Sequence, residues 1–594
     1  MPHLLVIWKT EIMRVAVAQF ATSLNVQENL ATCIRMINEA ATCKPSLIVL
    51  PEFCNTQPCY TDHNQAWQQA LTLKGGFLQS IAEQAKVHAC HIALNVTLRR
   101  DRSRDNQKGT TKSNISITSC LFSPLGELIQ QTNKHILTEA EKYFFSAAGS
   151  LSEEVNSPYG KLGLLAGSDI MTFDASRHLA IDGVELVCHS MSTFALDQSQ
   201  LHGPARAGEN NIFIATANKV GPLLSPEHIF LPENLMNGEQ PWNSHKEIMG
   251  IGQSQIISPN GKVLAKIDNK EEGYIFADIN FAQSNSRSTP SRPDGTDLIK
   301  QRRPELYQRQ PLKTVSPHEG TKRIPVTANV AIFATYTTNE QAIDDVCHYI
   351  ENNLSDITQL PELFFISDKE TLLNTEQMTE AAHLSQQVIK QVSAVLRPFQ
   401  YVCTSLVIEG KHQGVLINSD GLFATQQQLH FCNRYRWSAL GDHVNTIDLP
   451  LEQGCIKVAI LTADDANIPE IVKTAALQAI HVLLVPFDIQ EPSEVEYSLL
   501  SRAVENRVCI VAATREKNFT SDLPIESKNK NKVKLQKSTG LIINLTTGDA
   551  LLPQWKSRKF DGHINPPLIK HQHGKITKAV IHPIAACYKL YQGS

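Results

Sequence analysis

KLGLLAGSD (residues 161–169) and its echo IKVAILTADD (residues 456–465) decide how this chain is organised. Each is an apolar run that stops in a small residue and an acid, and Asp169 and Asp465 stand 296 residues apart. Working outward, ARAGENNIFIATAN returns as SRAVENRVCIVAATR, which pairs Arg206 with Arg502 at the same spacing. Upstream, RVAVAQF (residues 14–20) matches NVAIFATY (residues 329–336). SLIVLPEF, carrying Glu52, matches QLPELFF, carrying Glu362, at a spacing of 310. Four landmarks in one order describe a unit of about 270 residues present twice, its small drift in spacing absorbed by loops.

Within each unit the texture is α/β. Short apolar runs at 15–20, 47–50, 91–96, 162–166, 184–188 and 212–217 alternate with helical stretches at 25–41, where Ile34 and Ile37 recur at helical spacing, and at 76–88. The runs are continuous, which suits a sheet covered on both faces. The expected division is an N-terminal extension at 1–12, a first domain at 13–281, a linker or docking tail at 282–325 and a second domain at 326–594. The linker is assigned from its Ser, Pro, Arg and Gln content, as in NSRSTPSRPDG and KQRRPELYQRQ.

Composition removes several functions. Of 594 residues, 42% are apolar and 19% charged, with a net charge of −4, so the whole is globular and no electrostatic binder of nucleic acid. No apolar run approaches the roughly 18 residues of a membrane helix, and LLVIW (residues 4–8) is shorter than a secretory core; the expectation is a cytoplasmic chain without membrane contact. Thirteen cysteines lie scattered with no CxxC pair, Cys54 and Cys59 being the nearest, which reads as reduced buried thiols. His571 and His573 lack a third ligand, so no metal is expected. The phosphate-loop and dinucleotide fingerprints are absent, and no cofactor is expected.

The ordered set of motifs resembles the nitrilase superfamily of carbon–nitrogen hydrolases. LPEF carries Glu52; TNKHILTEAEKYFFSAAG carries Lys134 and Glu141; ARAGEN and GQSQIISPNGKVL (residues 252–264) resemble two later family segments. The resemblance implies an α–β–β–α sandwich for each domain. It also implies a chemistry in which a cysteine thiolate attacks an amide or nitrile carbon and a thioester forms. A glutamate then moves the protons and a lysine ammonium steadies the oxyanion. Family members pair through their helices, so two fused copies are expected to pack as an intramolecular pseudo-dimer. A linker of about forty residues holds them at an effective concentration on the order of millimolar.

The attacking cysteine is missing. Aligned on Lys161, Gly163 and Asp169, the family's nucleophile falls on Gly167; in the second copy it falls on Ala463. The second copy carries Glu362, is read as having Arg434 of CNRYRW in place of the lysine, and has no acid aligned with Glu141. Arg and Lys are not equivalent at a site built around one compact ammonium. Three substitutes for the nucleophile are open: Ser168 after a one-residue slip, Cys188 at the end of the next strand, or water activated by Glu52. Losing a nucleophile costs on the order of 10⁴–10⁶ in rate. The expected function is therefore a degenerate carbon–nitrogen hydrolase that binds a small amide or carboxylate or scaffolds a partner. The alternative is an active amidase or nitrilase with an unorthodox nucleophile in the first domain. Glu52, Lys134 and Glu141 can also persist as a buried ion cluster that is costly to break, and Glu362 and Arg434 as structural ion-pairing groups.

Overall fold

The structure is a computed structural model describing residues 12–100, 114–224, 248–283, 292–307, 323–335, 337–366, 374–491, 493–519, 536–543, 569–571 and 574–587. Most of the N-terminal extension, much of the expected linker and His573 lie outside the described residues. The chain divides at Ser288–Thr289 into two compact units.

In the first unit, one sheet runs Gly273–Asn280, Ile12–Gln19, Leu47–Val49, His91–Arg99, Ile115–Phe122, Leu128–Asn133. Its middle three strands are parallel and the rest antiparallel. The other sheet runs Val263–Lys266, Gln255–Ile257, Phe213–Ala217, Leu186–Ser190, Lys161–Ala166, Val155–Asn156. The strand Ile12–Gln19 explains why its sequence does not alternate. Val15 and Val17 pack between the sheets with Leu162, Leu164, Leu186 and Phe213, while Ala16 and Ala18 pack outward with Cys33, Met36, Ile37 and Ile81 of two helices. Successive side chains point to opposite faces, and both faces are buried. Those helices are Val26–Ala41, whose N-terminal N–H groups are accepted by Asn25, and Gly76–Val87. Helices Phe173–Ile181 and Gly203–Asn210 lie on the second sheet, which completes an α–β–β–α sandwich.

The second unit repeats this order. One sheet runs Gly574–Ile581, Ala328–Thr335, Ile357–Glu362, Tyr401–Ile408, Lys411–Asn418, Gly421–Gln427, with Ile569–His571 added at its edge. The other runs Thr446–Leu451, Gly454–Ile460, Val482–Pro486, Cys509–Phe519, Gln536–Ile543. Backbone irregularities recur too: left-handed residues follow both glutamates (Phe53, φ 54°; Leu363, φ 41°) and sit at both apices (Gly167, φ 46°; Ala463, φ 54°). Five-residue π-helical turns stand at Gln198–His202 and Glu494–Ser498.

Residues 292–307, part of the segment read as a linker or docking tail, are packed into the second unit: Arg292 is buried against Glu494, and Arg303 donates to the carbonyls of Leu429 and Gly441 at 2.8 and 2.6 Å. Their Ser/Pro/Arg content reads as solvated because the acids and carbonyls that receive the arginines lie more than a hundred residues away in sequence. Among the described residues no helix is long and apolar enough to cross a membrane, no group of His, Cys, Asp and Glu could hold a metal ion, and the cysteines are free thiols, most of them buried.

Candidate functional site

The first unit gathers its charged residues at the ends of its strands. The strand Leu47–Val49 runs through Pro51 into Glu52, which is 1% exposed. The chain then turns at the left-handed Phe53, whose N–H is accepted by Asn95 Oδ1 at 3.2 Å. Lys134 leaves the strand Leu128–Asn133 and is equally buried. Its ammonium lies 2.9 Å from Glu52 Oε1 and 2.7 Å from Glu141 Oε1. Glu141 is held in turn by a capping box: its Oε2 accepts the Thr138 N–H at 2.8 Å while Thr138 Oγ1 accepts the Glu141 N–H. The three residues expected at the site thus converge.

Gly167 stands against them. A Cβ built on it would lie 2.5 Å from Glu52 Oε1 and 2.6 Å from Lys134 Nζ. The space in which a nucleophile's side chain would start is filled by the carboxylate and the ammonium. The two side-chain substitutes among the three are engaged elsewhere. Ser168 Oγ donates to the Ile136 carbonyl at 2.6 Å, and Cys188 sits in the apolar layer between the sheets, where burial pushes its thiol to about 12. His189 donates from Nε2 to the Gly167 carbonyl at 3.0 Å, and burial lowers its pKa to about 4, so it is a neutral imidazole at ordinary pH.

Burial also raises Glu52, to about 7, against the pull of Lys134 and with the push of Glu141. One cation between two carboxylates leaves the trio one negative charge in excess, which a proton near neutrality removes. Asp169 accepts the backbone N–H groups of His135 and Ile136 at 3.1 and 2.8 Å; burial nevertheless raises it to about 6.

In the second unit the equivalent corner is built differently. Glu362, fully buried, accepts the Tyr435 hydroxyl at 2.6 Å and the Ala463 N–H at 3.1 Å. Asp465 accepts the N–H groups of Leu429 and His430 at 2.9 and 2.8 Å, as Asp169 accepts those of His135 and Ile136. That register corrects the sequence alignment: Gln428, and not Arg434, stands where Lys134 does. Its N–H donates to the His412 carbonyl just as that of Lys134 donates to Ile117. The same count puts Cys432 at the place of Thr138, each preceding a short helix, and Tyr435 at the place of Glu141. Arg434 forms ion pairs at 2.7 Å with Asp294 and with Asp464.

Sequence reasoning missed Lys219. It is 1% exposed, donates to the Phe53 carbonyl at 3.0 Å, and is lowered to about 8 by burial. In the second unit Arg515 donates to the carbonyl of Leu363, the residue after Glu362. A cation therefore ties down the left-handed turn behind each glutamate, fully buried in the first unit and partly buried in the second. The signal was in the repeat, since ATANK and AATR end on these two cations.

Residues 14–287 match the sequence model of the carbon-nitrogen hydrolase family. Among curated relatives, the chain is 24% identical to the deaminated glutathione amidase of Mus musculus, over 50% of this chain and 85% of that protein. It is 23% identical to a nitrilase of Pyrococcus abyssi, over 48% and 95%. It is 25% identical to the chloroplastic omega-amidase of Arabidopsis thaliana, over 50% and 73%. A solved amidase from Nesterenkonia sp. superposes with a TM-score of 0.37 at 20% identity, over 51% of this chain and 97% of that one. Its first unit thus carries a carbon–nitrogen hydrolase domain, and over that half the chain is similar to amidases and nitrilases.

Proposed function

We propose that this protein is a catalytically degenerate carbon–nitrogen hydrolase, in which the first unit keeps the charged framework of the site without its nucleophile. One observation carries the reading: the apex facing Glu52 and Lys134 is Gly167, and the neighbouring Ser168 hydroxyl and Cys188 thiol are engaged away from it. The competing reading of an active amidase or nitrilase is then left with water activated by Glu52, which forgoes the covalent route.

Any ligand kept at this corner is a small neutral amide in preference to a carboxylate. An ammonium has three donors, and Lys134 gives two of them to carboxylates. The third suits a carbonyl oxygen, whereas another anion would face two negative groups.

The test is a pair of intact-mass and hydroxylamine-trapping assays on the whole chain with simple aliphatic amides. The native protein is expected to form no acyl adduct and no hydroxamate. Gly167→Cys is expected to gain an acyl-thioester mass, because Ala463 shows that a residue with a Cβ adopts the same left-handed apex. Turnover or an adduct on the native first unit would overturn the reading.

A further inference from the structure

The second unit holds a cluster that its first-unit counterpart lacks. Asp464, next to the apex Ala463, and Glu494, at the start of the π-helical turn, stand where the first unit has the neutral Ser168 and Gln198. Both acids are buried, their side chains 0 and 3% exposed. Between them lies the guanidinium of Arg292, itself 2% exposed, which contacts Glu494 closely and Asp464 at 3.3 Å. Arg434 covers Asp464 from another side at 2.7 Å, and against its burial the two arginines hold Asp464 below the usual carboxylate range.

The rest of the segment is fastened onto the same corner. Asp294 pairs with Arg434, Thr296 Oγ1 accepts the Asn433 N–H at 3.1 Å, and the Asp294 carbonyl accepts Asn433 Nδ2 at 3.0 Å. Further along, Arg302 pairs with Glu470, and the Tyr307 hydroxyl meets His430 Nε2 at 2.6 Å. His430 in turn holds Asp465, the acid that sets the register of the corner.

We propose that the second unit's former catalytic corner has become a guanidinium-binding site, made by Asp464 and Glu494 and filled in cis by Arg292, so that residues 292–307 act as a built-in plug. Two planar acceptors facing one buried guanidinium match the fork geometry of arginine, and such a pair loses heavily when one member is removed. The ligand class is a guanidinium carried on a peptide. Because the cation sits one residue beyond Ala463, the plug closes the corner independently of whether the first unit is active.

The test uses the whole chain and limited trypsin digestion, read by mass spectrometry at the bonds after Lys300 and Arg302. In the native protein these bonds are expected to be protected. Arg292→Ala is expected to speed their cleavage about tenfold or more, because the segment opens locally. Guanidinium chloride at tens of millimolar should restore protection, while equal sodium chloride should not. If Arg292→Ala does not fold, Glu494→Gln carries the test: it should speed the same cleavages, and guanidinium should not rescue it. Cleavage at the native rate in the variant that folds, or equal protection by sodium chloride, would overturn the proposal.

Discussion

The two units place a buried glutamate at the same point of the same scaffold and satisfy it in opposite ways. Glu52 is met by an ammonium that a second carboxylate shares; Glu362 is met by a phenol and a backbone N–H. Charge remains in the second corner, displaced by one residue into the Arg434–Asp464–Arg292–Glu494 chain. The difference teaches what the fold itself requires. The strand ends, the left-handed turn after the glutamate, and a cation on that turn are common to both units. The lysine and second carboxylate belong to the first unit alone. On the proposed reading these are the groups that served chemistry, since the second unit folds without them.

The sharpest way to break the comparison is to remove Lys134 on one side and the residue at its place on the other. Lys134→Met strands two carboxylates in a buried site, and the expected loss is about 3–5 kcal/mol from the first unit. Gln428→Met, at the matching place, removes one neutral amide whose side chain donates to the His430 carbonyl, and should cost about 1 kcal/mol. Urea unfolding with hydrogen exchange to assign each transition measures both. Similar losses would mean that the trio is no more than ordinary packing.

Next in size is the apex. Gly167→Ala puts a methyl against Glu52 and Lys134 and gives up the left-handed freedom of glycine, which together should cost about 1–3 kcal/mol. The reverse change, Ala463→Gly, relieves a left-handed alanine while deleting one methyl, and should fall within about 1 kcal/mol of zero. A neutral Gly167→Ala would show that the charged pair retreats freely from the apex. The phenol of Tyr435 is tested in the same range: Tyr435→Phe removes the hydroxyl that donates to a buried carboxylate, at about 1–3 kcal/mol.

How much of this was legible beforehand depended on the reach of each signal. The doubled unit, the two-sided burial of Ile12–Gln19, and the convergence of Glu52, Lys134 and Glu141 on Gly167 follow from local pattern and motif order. The register of the second corner does not. CNRYRW offers a conspicuous cation, and only the two N–H bonds accepted by Asp465, more than thirty residues downstream, show that Gln428 holds the lysine's place. The burial of Arg292 was hidden for the same reason, since Glu494 is 202 residues away. A run rich in Ser, Pro and Arg gives no local hint that acids are waiting for it. Lys219 was overlooked because a lone lysine after a strand reads as solvated; its pairing with Arg515 across the repeat was the clue.

The smallest effect is a dependence on pH, and it isolates the first glutamate. Glu52 is raised from its ordinary 4.5 to about 7, with burial the main cause. Between those values the folded protein keeps a proton that the unfolded chain releases, so the contribution of Glu52 to stability is full below pH 4.5 and declines as pH rises to 7. Glu52→Gln cannot titrate and lacks this slope. Asp169, raised by burial, and His189, lowered by burial, tilt the whole curve in opposite directions, but they are present in both proteins and cancel when the two curves are subtracted. The native-minus-variant difference should therefore fall from pH 4.5 to 7 and level off above, as measured by urea unfolding across that range. A difference that rises with pH would mean that Lys134 outweighs burial and keeps the carboxylate ionised. The first corner would then be a plain salt bridge, and its contrast with the neutral hydrogen bonds on Glu362 would be one of charge without any share in proton binding.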